Sequence, residues 1–147
     1  MSALAGRVAR VLLVEDNEAD VRLTREALRE SGDLVRLSTV SDGEQALAYL
    51  RREEGFAAVP RPDLVLLDLN LPRKNGLEVL REMRADPDTA CVPVIMLTTS
   101  SARQDVVEAY ASGANCFVTK PLELDEFMDL INAIRSFWLG VVQLPSD

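Results

Sequence analysis

Short apolar runs alternate with amphipathic segments along almost the whole chain. The apolar runs are rarely interrupted and rich in β-branched residues, which is typical of parallel strands buried on both faces. They predict five strands: Val8–Val14, Leu34–Val40, Asp63–Leu67, Val94–Leu97 and Cys116–Val118. Helical spacing and capping residues predict five helices: Asn17–Ser31, Gln45–Arg52, Leu77 to about Ala85, Arg103–Ser112 and Leu124 to about Leu139. This alternation predicts an α/β fold with a doubly wound, five-stranded parallel sheet.

Turn and capping residues indicate where several helices begin and end. Gly32 and Gly113 are expected to end the first and fourth helices, because glycine adopts the left-handed conformation common at that point. Ser41 and Glu44 match a capping box at the start of the second helix. The stretch Glu53–Pro62 has no hydrophobic period and predicts a long exposed loop.

The length and composition suit a single domain. The chain has 147 residues, 48% of them apolar, which predicts one domain over 1–147 with a short C-terminal extension at 140–147. No apolar run approaches the roughly 20 residues of a membrane span, and the first residues do not match a secretory signal, so we expect a cytoplasmic protein. Cys91 and Cys116 are too few for a disulfide framework and are expected to be buried free thiols.

The charge balance and the absence of histidine exclude several classes of function. A formal net charge of -8 leaves no basic surplus to bind a polyanion, so nucleic acid is not an expected partner. The chain contains no histidine. Its absence excludes Ser-His-Asp and Cys-His nucleophile pairs, His-ligated zinc and an internal phosphohistidine. Chemistry in this chain must therefore use carboxylates, hydroxyls and lysines.

Polar residues stand where four of the predicted strands end: Glu15 with Asp16, Asp68 with nearby Asn70, Thr98, and Lys120. Taken singly, they fit ordinary structural roles, such as acidic groups at a helix N-terminus or a strand-end hydroxyl bonded to the backbone. Taken together, they predict one acidic pocket, because the carboxyl ends of parallel strands meet at one edge of a sheet. Carboxylates that hold a divalent cation, with a hydroxyl and a lysine nearby, indicate a phosphorylatable switch.

The residues around this pocket resemble the receiver domain of two-component response regulators. The resemblance spans roughly Arg7 to Ser136 and rests on Leu13–Asn17, Asp63–Asp68, Leu71–Pro72 with Asn75–Gly76, Val94–Thr98, and Phe117–Pro121. It implies a flavodoxin-like sheet with strand order 2-1-3-4-5. It also implies a signalling protein, not a turnover enzyme, that takes a phosphoryl group from a phosphohistidine of a sensor histidine kinase.

The resemblance implies a role for each pocket residue. Asp68 would be the phosphoacceptor, with Thr98 and Lys120 contacting the phosphoryl oxygens. The Mg²⁺ cofactor would be held by Asp16, Asp68 and the backbone carbonyl of Asn70, with Glu15 acting through water. Phe117 would move with Thr98 as the switch residue and repack the surface of helix four, strand five and helix five. The peptide bond before Pro121 is expected to be cis.

Two departures from the family pattern bear on the switch. Phe117 lacks the hydroxyl of a tyrosine at that position, which leaves switching by bulk. Thr99 is β-branched where many relatives have a smaller residue, which would crowd the inward movement of Phe117.

The last predicted helix carries more apolar residues than one buried stripe requires. We expect the excess to form a homodimer surface, because a wide aromatic patch left in water favours association. The alternative is that the excess packs back on its own domain. The surface is expected to include Phe127, Ile131, Ile134, Phe137 and Trp138.

Shorter motifs bear on the kinase and on the alternatives. Asn115–Phe117, Phe137–Trp138 and Leu144–Pro145 resemble the small, stand-alone regulators that partner phytochrome-type histidine kinases, including bacteriophytochromes. One alternative is a phosphatase of the haloacid-dehalogenase type, which also uses a strand-end Asp and Mg²⁺. That type has a second acidic residue two places after the nucleophile, where Asn70 stands here. Another alternative is an interaction domain with a degenerate pocket, which would not be phosphorylated.

Overall fold

The computed structural model describes residues 8–29 and 34–145. Five strands run at β1 Ala9–Val14, β2 Val35–Val40, β3 Leu64–Leu67, β4 Val94–Thr98 and β5 Cys116–Thr119. Five α-helices follow them in turn: α1 Glu18–Leu28, α2 Gly43–Arg51, α3 Gly76–Ala85, α4 Arg103–Ala111 and α5 Leu124–Trp138. The expected exposed loop after α2 contains a single 3-10 turn, Glu54–Phe56. The predicted alternation of strands and helices is confirmed.

All neighbouring strands pair in parallel, in the order β2-β1-β3-β4-β5. This is the flavodoxin-like order that the sequence resemblance implied. The order reverses beside β1, so the crevice between the carboxyl ends of β1 and β3 is the place where such sheets bind ligands.

Successive residues of the central strands enter two separate cores. On one face, Leu12 and Val14 of β1 pack with residues of α2, α3 and α4. On the other face, Val11 and Leu13 pack with residues of α1 and α5. The period of two in side-chain direction explains why β3 is apolar at every position, since both of its faces are buried.

The capping residues differ in part from those predicted. Asp42, not Ser41, caps α2, because its side chain accepts a 2.8 Å hydrogen bond from the Gln45 backbone N–H. The capping box lies instead on α3, between Asn75 and Glu78. Gly113 follows α4 with a φ of 105°, as predicted. The predicted stop at Gly32 and the predicted helical end at Ser31 lie outside the described residues.

Three residues assigned to the dimer surface are core residues instead. Phe127, Ile131 and Ile134 are 3%, 0% and 8% exposed, and they pack in the core shared with α1. Their spacing of four and three residues places them on one face of α5, and that face covers the sheet. Phe137 is 54% exposed and Trp138 is half-buried. The prediction was therefore wrong for the first three residues.

The prediction of buried thiols was also wrong for one cysteine. Cys91 is exposed, because it lies in the turn before β4, whereas Cys116 is half-buried in β5. Both are free. Among the helices of the described ranges, none has the length and apolar character that crossing a bilayer requires.

Candidate functional site

Backbone pairing continues one residue past the strands and brings the pocket residues to one level. The Glu15 N–H donates to the carbonyl of Val40 at 3.0 Å, and the Asp68 N–H donates to the carbonyl of Val14 at 3.1 Å. The Lys120 N–H donates to the carbonyl of Thr98 at 2.7 Å. Side chains that leave the sheet at these points share its carboxyl edge. The sequence prediction that these residues converge holds in the structure.

Three carboxyl groups at this edge have the spacing of a metal site. Ligand oxygens of Glu15, Asp16 and Asp68 all lie within 4.8 Å of one another. Glu15 and Asp68 are 3% and 7% exposed, whereas Asp16 is exposed. Carboxylate oxygens are the ligands that hard divalent cations such as Mg²⁺ prefer, and an exposed member leaves room for the water molecules that Mg²⁺ retains. The donor set therefore fits such an ion.

Asn70 lies at the outer edge of the acidic cluster. Its backbone N–H donates to Asp68 Oδ1 at 3.3 Å, and the residue is exposed. That contact turns the chain after β3 back toward the carboxyl group of Asp68. It places the backbone of residue 70 beside the proposed phosphoacceptor.

Lys120 is a buried ammonium surrounded by carboxyl groups. Its Nζ hydrogen-bonds to Glu15 Oε1, lies 2.9 Å from Asp20 Oδ2, and lies 3.5 Å from Asp68 Oδ2. The side chain is 5% exposed. Burial lowers the pKa of Lys120, but the hydrogen bonds to Glu15 and Asp20 outweigh it, so the net shift of the pKa is upward. The ammonium is therefore charged at neutral pH.

The pKa of the Glu15 carboxyl group is shifted upward. This pKa rises from 4.5 to about 7, mainly because burial disfavours the charged form. The hydrogen bond from Lys120 offsets part of this rise, and the nearby charge of Asp68 contributes to it. The backbone N–H of Asn17 also donates to Glu15 at 3.2 Å. A cation held by these carboxyl groups would favour the ionised form of Glu15, because its positive charge would offset the cost of burying the carboxylate.

Thr98 and Phe117 occupy the neighbouring strands β4 and β5. Thr98 is fully buried, and its Oγ1 accepts a 3.4 Å hydrogen bond from the Ser100 N–H. Phe117 is half-buried and packs against the core that contains α4. Its backbone N–H donates to the hydroxyl of Tyr110 at 3.2 Å. Phe117 thus contacts α4, the helix whose surface it was expected to change, and Thr98 lies on the neighbouring strand β4.

The peptide bond between Lys120 and Pro121 is trans, since no cis peptide bond occurs in the described ranges. The expectation of a cis bond was wrong. The trans form is the lower in energy by about 0.5–1 kcal/mol for a bond before proline, and the pairing of the Lys120 N–H with Thr98 is made in this form.

Sequence reasoning missed two residues that contact the site. Asp20 lies in the first turn of α1 and reaches Lys120, although one hundred residues separate them. No role was assigned to Asp20 from the sequence, because the helix dipole alone accounts for an acidic residue in the first turn of a helix. Tyr110 was missed because an exposed tyrosine on a helix gives no signal of a contact with an edge strand.

Residues 11–132 match the response regulator receiver domain family. The chain belongs to this family. This receiver is 43% identical over 136 residues to the response regulator Rcp1 of Synechocystis sp., with 92% of each chain covered. It is therefore a signalling protein of the two-component type, and its acidic pocket is the divalent-metal site of receiver domains.

Solved structures of response regulators also resemble this receiver. The phosphorylated cyanobacterial phytochrome response regulator RcpA superposes on this receiver with a TM-score of 0.92 and 45% identity, over 95% of this chain and 99% of that one. The Mn²⁺-bound form of Rcp1 superposes with a TM-score of 0.90 and 43% identity, over 94% and 99% of the two chains. The relatives include phytochrome response regulators, and the family match gives the phosphatase alternative no support.

Proposed function

We propose that this receiver accepts a phosphoryl group on Asp68 in a Mg²⁺-dependent reaction. The observation that supports the proposal best is the arrangement around the Asp68 carboxyl group. It stands within 4.8 Å of the ligand oxygens of Glu15 and Asp16, and its Oδ2 is 3.5 Å from the Lys120 ammonium. A nucleophilic carboxylate between a cation site and a buried lysine suits an attack on a negatively charged phosphoryl group.

The transfer begins at one oxygen of Asp68. That oxygen attacks the phosphorus of a phosphohistidine, a new O–P bond forms, and the N–P bond breaks with its electron pair returning to the imidazole. The product is an acyl phosphate on Asp68. Lys120 stabilises the phosphoryl oxygens from one side, and Thr98 donates its hydroxyl hydrogen to one of them. Asp16, Asp68 and the backbone carbonyl of Asn70 would hold the Mg²⁺ ion, with Glu15 acting through water, and the ion would neutralise charge at the phosphoryl oxygens.

The output is a change in the surface formed by α4, β5 and α5. Movement of the Thr98 hydroxyl toward the phosphoryl group opens space that Phe117 occupies by a change of rotamer. Phe117 is half-buried against the core that contains a residue of α4, which supports a link between its rotamer and that helix. Phe117 has no hydroxyl group, so the proposed switch acts through the bulk of its ring.

The comparisons favour a phytochrome-type histidine kinase as the phosphoryl donor. This class of kinase includes the bacteriophytochromes. The support is the similarity to RcpA, described as a phytochrome response regulator, across 95% of this chain. A histidine kinase phosphorylates itself from ATP, so we place the receiver with its kinase in the cytoplasm. Phosphotransfer from several kinases of one organism tests this assignment, and preference for a kinase without a bilin-binding module contradicts it.

We also propose a homodimer through α4, β5 and α5. Fewer residues support this dimer surface than the sequence suggested, because Phe127, Ile131 and Ile134 are buried. Exposed apolar side chains remain on both helices, with Tyr110 on α4 and Phe137 on α5 at 50% and 54% exposure. Sedimentation velocity with and without beryllofluoride tests this, and a monomer under both conditions at high concentration contradicts it.

Incubation with Mg²⁺ and a small phosphodonor such as acetyl phosphate tests the proposed function. We expect the wild-type protein to gain the mass of one phosphoryl group, and the Asp68→Asn variant to gain none under the same conditions. Chelation of the metal should abolish the gain in the wild type. Sustained release of phosphate from an aryl phosphate would instead support the phosphatase, and absence of any modification would support the degenerate interaction domain.

A further inference from the structure

Asp20 has no assigned role in the proposed phosphotransfer, yet it makes a direct ion pair with Lys120. The distance between Asp20 Oδ2 and Lys120 Nζ is 2.9 Å, shorter than the 3.5 Å between Asp68 Oδ2 and the same ammonium. Asp20 does not belong to the cluster of Glu15, Asp16 and Asp68 that has the spacing of a metal site. It therefore contacts the catalytic lysine without being one of the candidate metal ligands.

The backbone of Asp20 is fixed on both sides. Its N–H donates to the capping side chain of Asn17 at 3.1 Å, and its carbonyl accepts a 2.8 Å hydrogen bond from the hydroxyl of Thr24. Thr24 is itself buried. The carboxylate of Asp20 is 22% exposed, so water screens its attraction to Lys120 only in part. A rigid helix turn thus holds a negative charge at the ammonium.

The hydrogen-bonding capacity of Lys120 limits what it can contact. An ammonium has three N–H donors, and Glu15, Asp20 and Asp68 provide three carboxylate partners among the described residues. When Asp68 carries a phosphoryl group, the negative charge beside Lys120 increases, and the lysine has to turn toward the new oxygens. The contact with Asp20 opposes that movement.

We propose that Asp20 is a positioning residue that competes with the phosphoryl group on Asp68 for Lys120. The proposal rests on the function proposed above and gives a role to a fourth carboxyl group, beside those of Glu15, Asp16 and Asp68. Asp20 holds the ammonium beside α1 in the unmodified protein. It thereby lowers the affinity of the pocket for a phosphoryl group or its analogue.

Titration with beryllofluoride in the presence of Mg²⁺ tests the proposal, with the amide NMR signals of residues 68 and 98 as the readout. We expect Asp20→Asn to bind beryllofluoride about five-fold more tightly than wild type, which corresponds to about 1 kcal/mol. Asp20→Glu, which restores the charge, should return the affinity toward that of wild type. Thermal unfolding of each variant reports whether the fold is kept.

The matched control is Glu18→Gln. Glu18 lies exposed in the same turn of α1 and is not among the carboxylate partners of Lys120, so its loss removes an equal charge without the contact. We expect this variant to bind beryllofluoride as wild type does. An equal increase in both variants would show a general charge effect and overturn the proposal.

A double-mutant cycle with Lys120→Met makes the test specific. If Asp20 acts through the ammonium, Asp20→Asn has no effect on beryllofluoride binding when residue 120 is methionine. If the wild-type protein binds beryllofluoride and the Asp20→Asn variant binds it with the same affinity, only the role of Asp20 is contradicted. A wild-type protein that binds none contradicts the proposed function itself.

Discussion

The backbone N–H of Phe117 donates a 3.2 Å hydrogen bond to the hydroxyl of Tyr110. Phe117 lies in β5, an edge strand of the sheet, and Tyr110 lies in the last turn of α4. The contact fastens a helix to the open edge of the sheet at the residue proposed as the switch. A displacement of the Phe117 backbone would therefore change this contact with α4.

Removal of this hydroxyl should loosen the edge strand. We expect Tyr110→Phe to reduce the free energy of unfolding by about 0.5–1.5 kcal/mol, and to speed hydrogen exchange at the Phe117 amide. Tyr49→Phe, which removes a hydroxyl from α2, is the matched control and should leave that exchange rate unchanged. Equal exchange in wild type and Tyr110→Phe would contradict the coupling of α4 to β5.

The stability of the metal-free protein should depend on pH through Glu15. Its pKa is raised to about 7 in the folded protein from an ordinary value of 4.5, so the folded chain binds the proton more tightly than the unfolded chain does. The stabilising contribution is complete below pH 4.5 and is lost as the pH rises through 7. Urea unfolding between pH 5 and pH 8 measures it.

Glu15→Gln provides the control for the pH dependence. Glutamine keeps the size of the side chain but does not titrate. The free energy of unfolding of the variant should therefore change much less between pH 5 and pH 8 than that of the wild type. Mg²⁺ should bind the wild type more tightly at pH 8 than at pH 6, because the bound ion requires the ionised carboxylate. A wild-type stability that does not change with pH would contradict the assignment.

Arg84 should matter for stability far from the pocket. Its guanidinium donates to the carbonyls of Ala90, Val92 and Gly113 at 3.1, 2.8 and 3.0 Å, and to Asn115 Oδ1 at 2.9 Å. We expect Arg84→Met to reduce the free energy of unfolding by roughly 3 kcal/mol, because three carbonyls lose a charged donor.

Arg81→Met is the matched control for Arg84. Arg81 is exposed and donates one 3.1 Å hydrogen bond to the hydroxyl of Ser112. Its replacement should cost about 0.5 kcal/mol or less. Equal losses in the two variants, measured by urea unfolding, would be at odds with a structural role of the Arg84 contacts.

Leu122 is the exposed apolar residue nearest in sequence to the pocket lysine. It is 96% exposed, and only Pro121 separates it from Lys120. A partner that delivers a phosphoryl group to Asp68 must approach this edge, so we expect Leu122→Asp to slow transfer from a histidine kinase by about tenfold. Phosphorylation by acetyl phosphate should be unchanged, because a small donor does not need the contact.

The control for Leu122 lies after α5, near the other end of the sheet. Val141 is 67% exposed, and Val141→Asp should leave both rates unchanged. If Leu122→Asp slows phosphorylation by acetyl phosphate as strongly as it slows transfer from the kinase, the residue acts on the pocket and not on docking.

The fold and most of the site were readable from the sequence because both follow from the strands. Uninterrupted apolar runs specify buried parallel strands, and the polar residue that ends each run, such as Asp68 after Leu67, marks the carboxyl edge of the sheet. Convergence of Glu15, Asp68 and Lys120 then follows from the strand order alone.

The errors arose where side-chain direction decides the outcome. Counting apolar residues on α5 does not distinguish the face that covers the sheet from the face in water, and Ile131 at 0% exposure lies on the first. The contact of Asp20 with Lys120 likewise depends on how α1 leaves β1. No local pattern reports that geometry. The isomer of the bond before Pro121 was a family expectation, and no residue pattern specified it.

The central claim is that Asp68 becomes an acyl phosphate. Borohydride reduces an aspartyl phosphate to homoserine, so treatment after incubation with Mg²⁺ and acetyl phosphate marks the modified residue in a peptide mass spectrum. We predict homoserine at position 68 in the wild type, and its loss when Mg²⁺ is chelated. An unmodified residue 68, or homoserine at Asp16 or another aspartate in its place, would contradict the account.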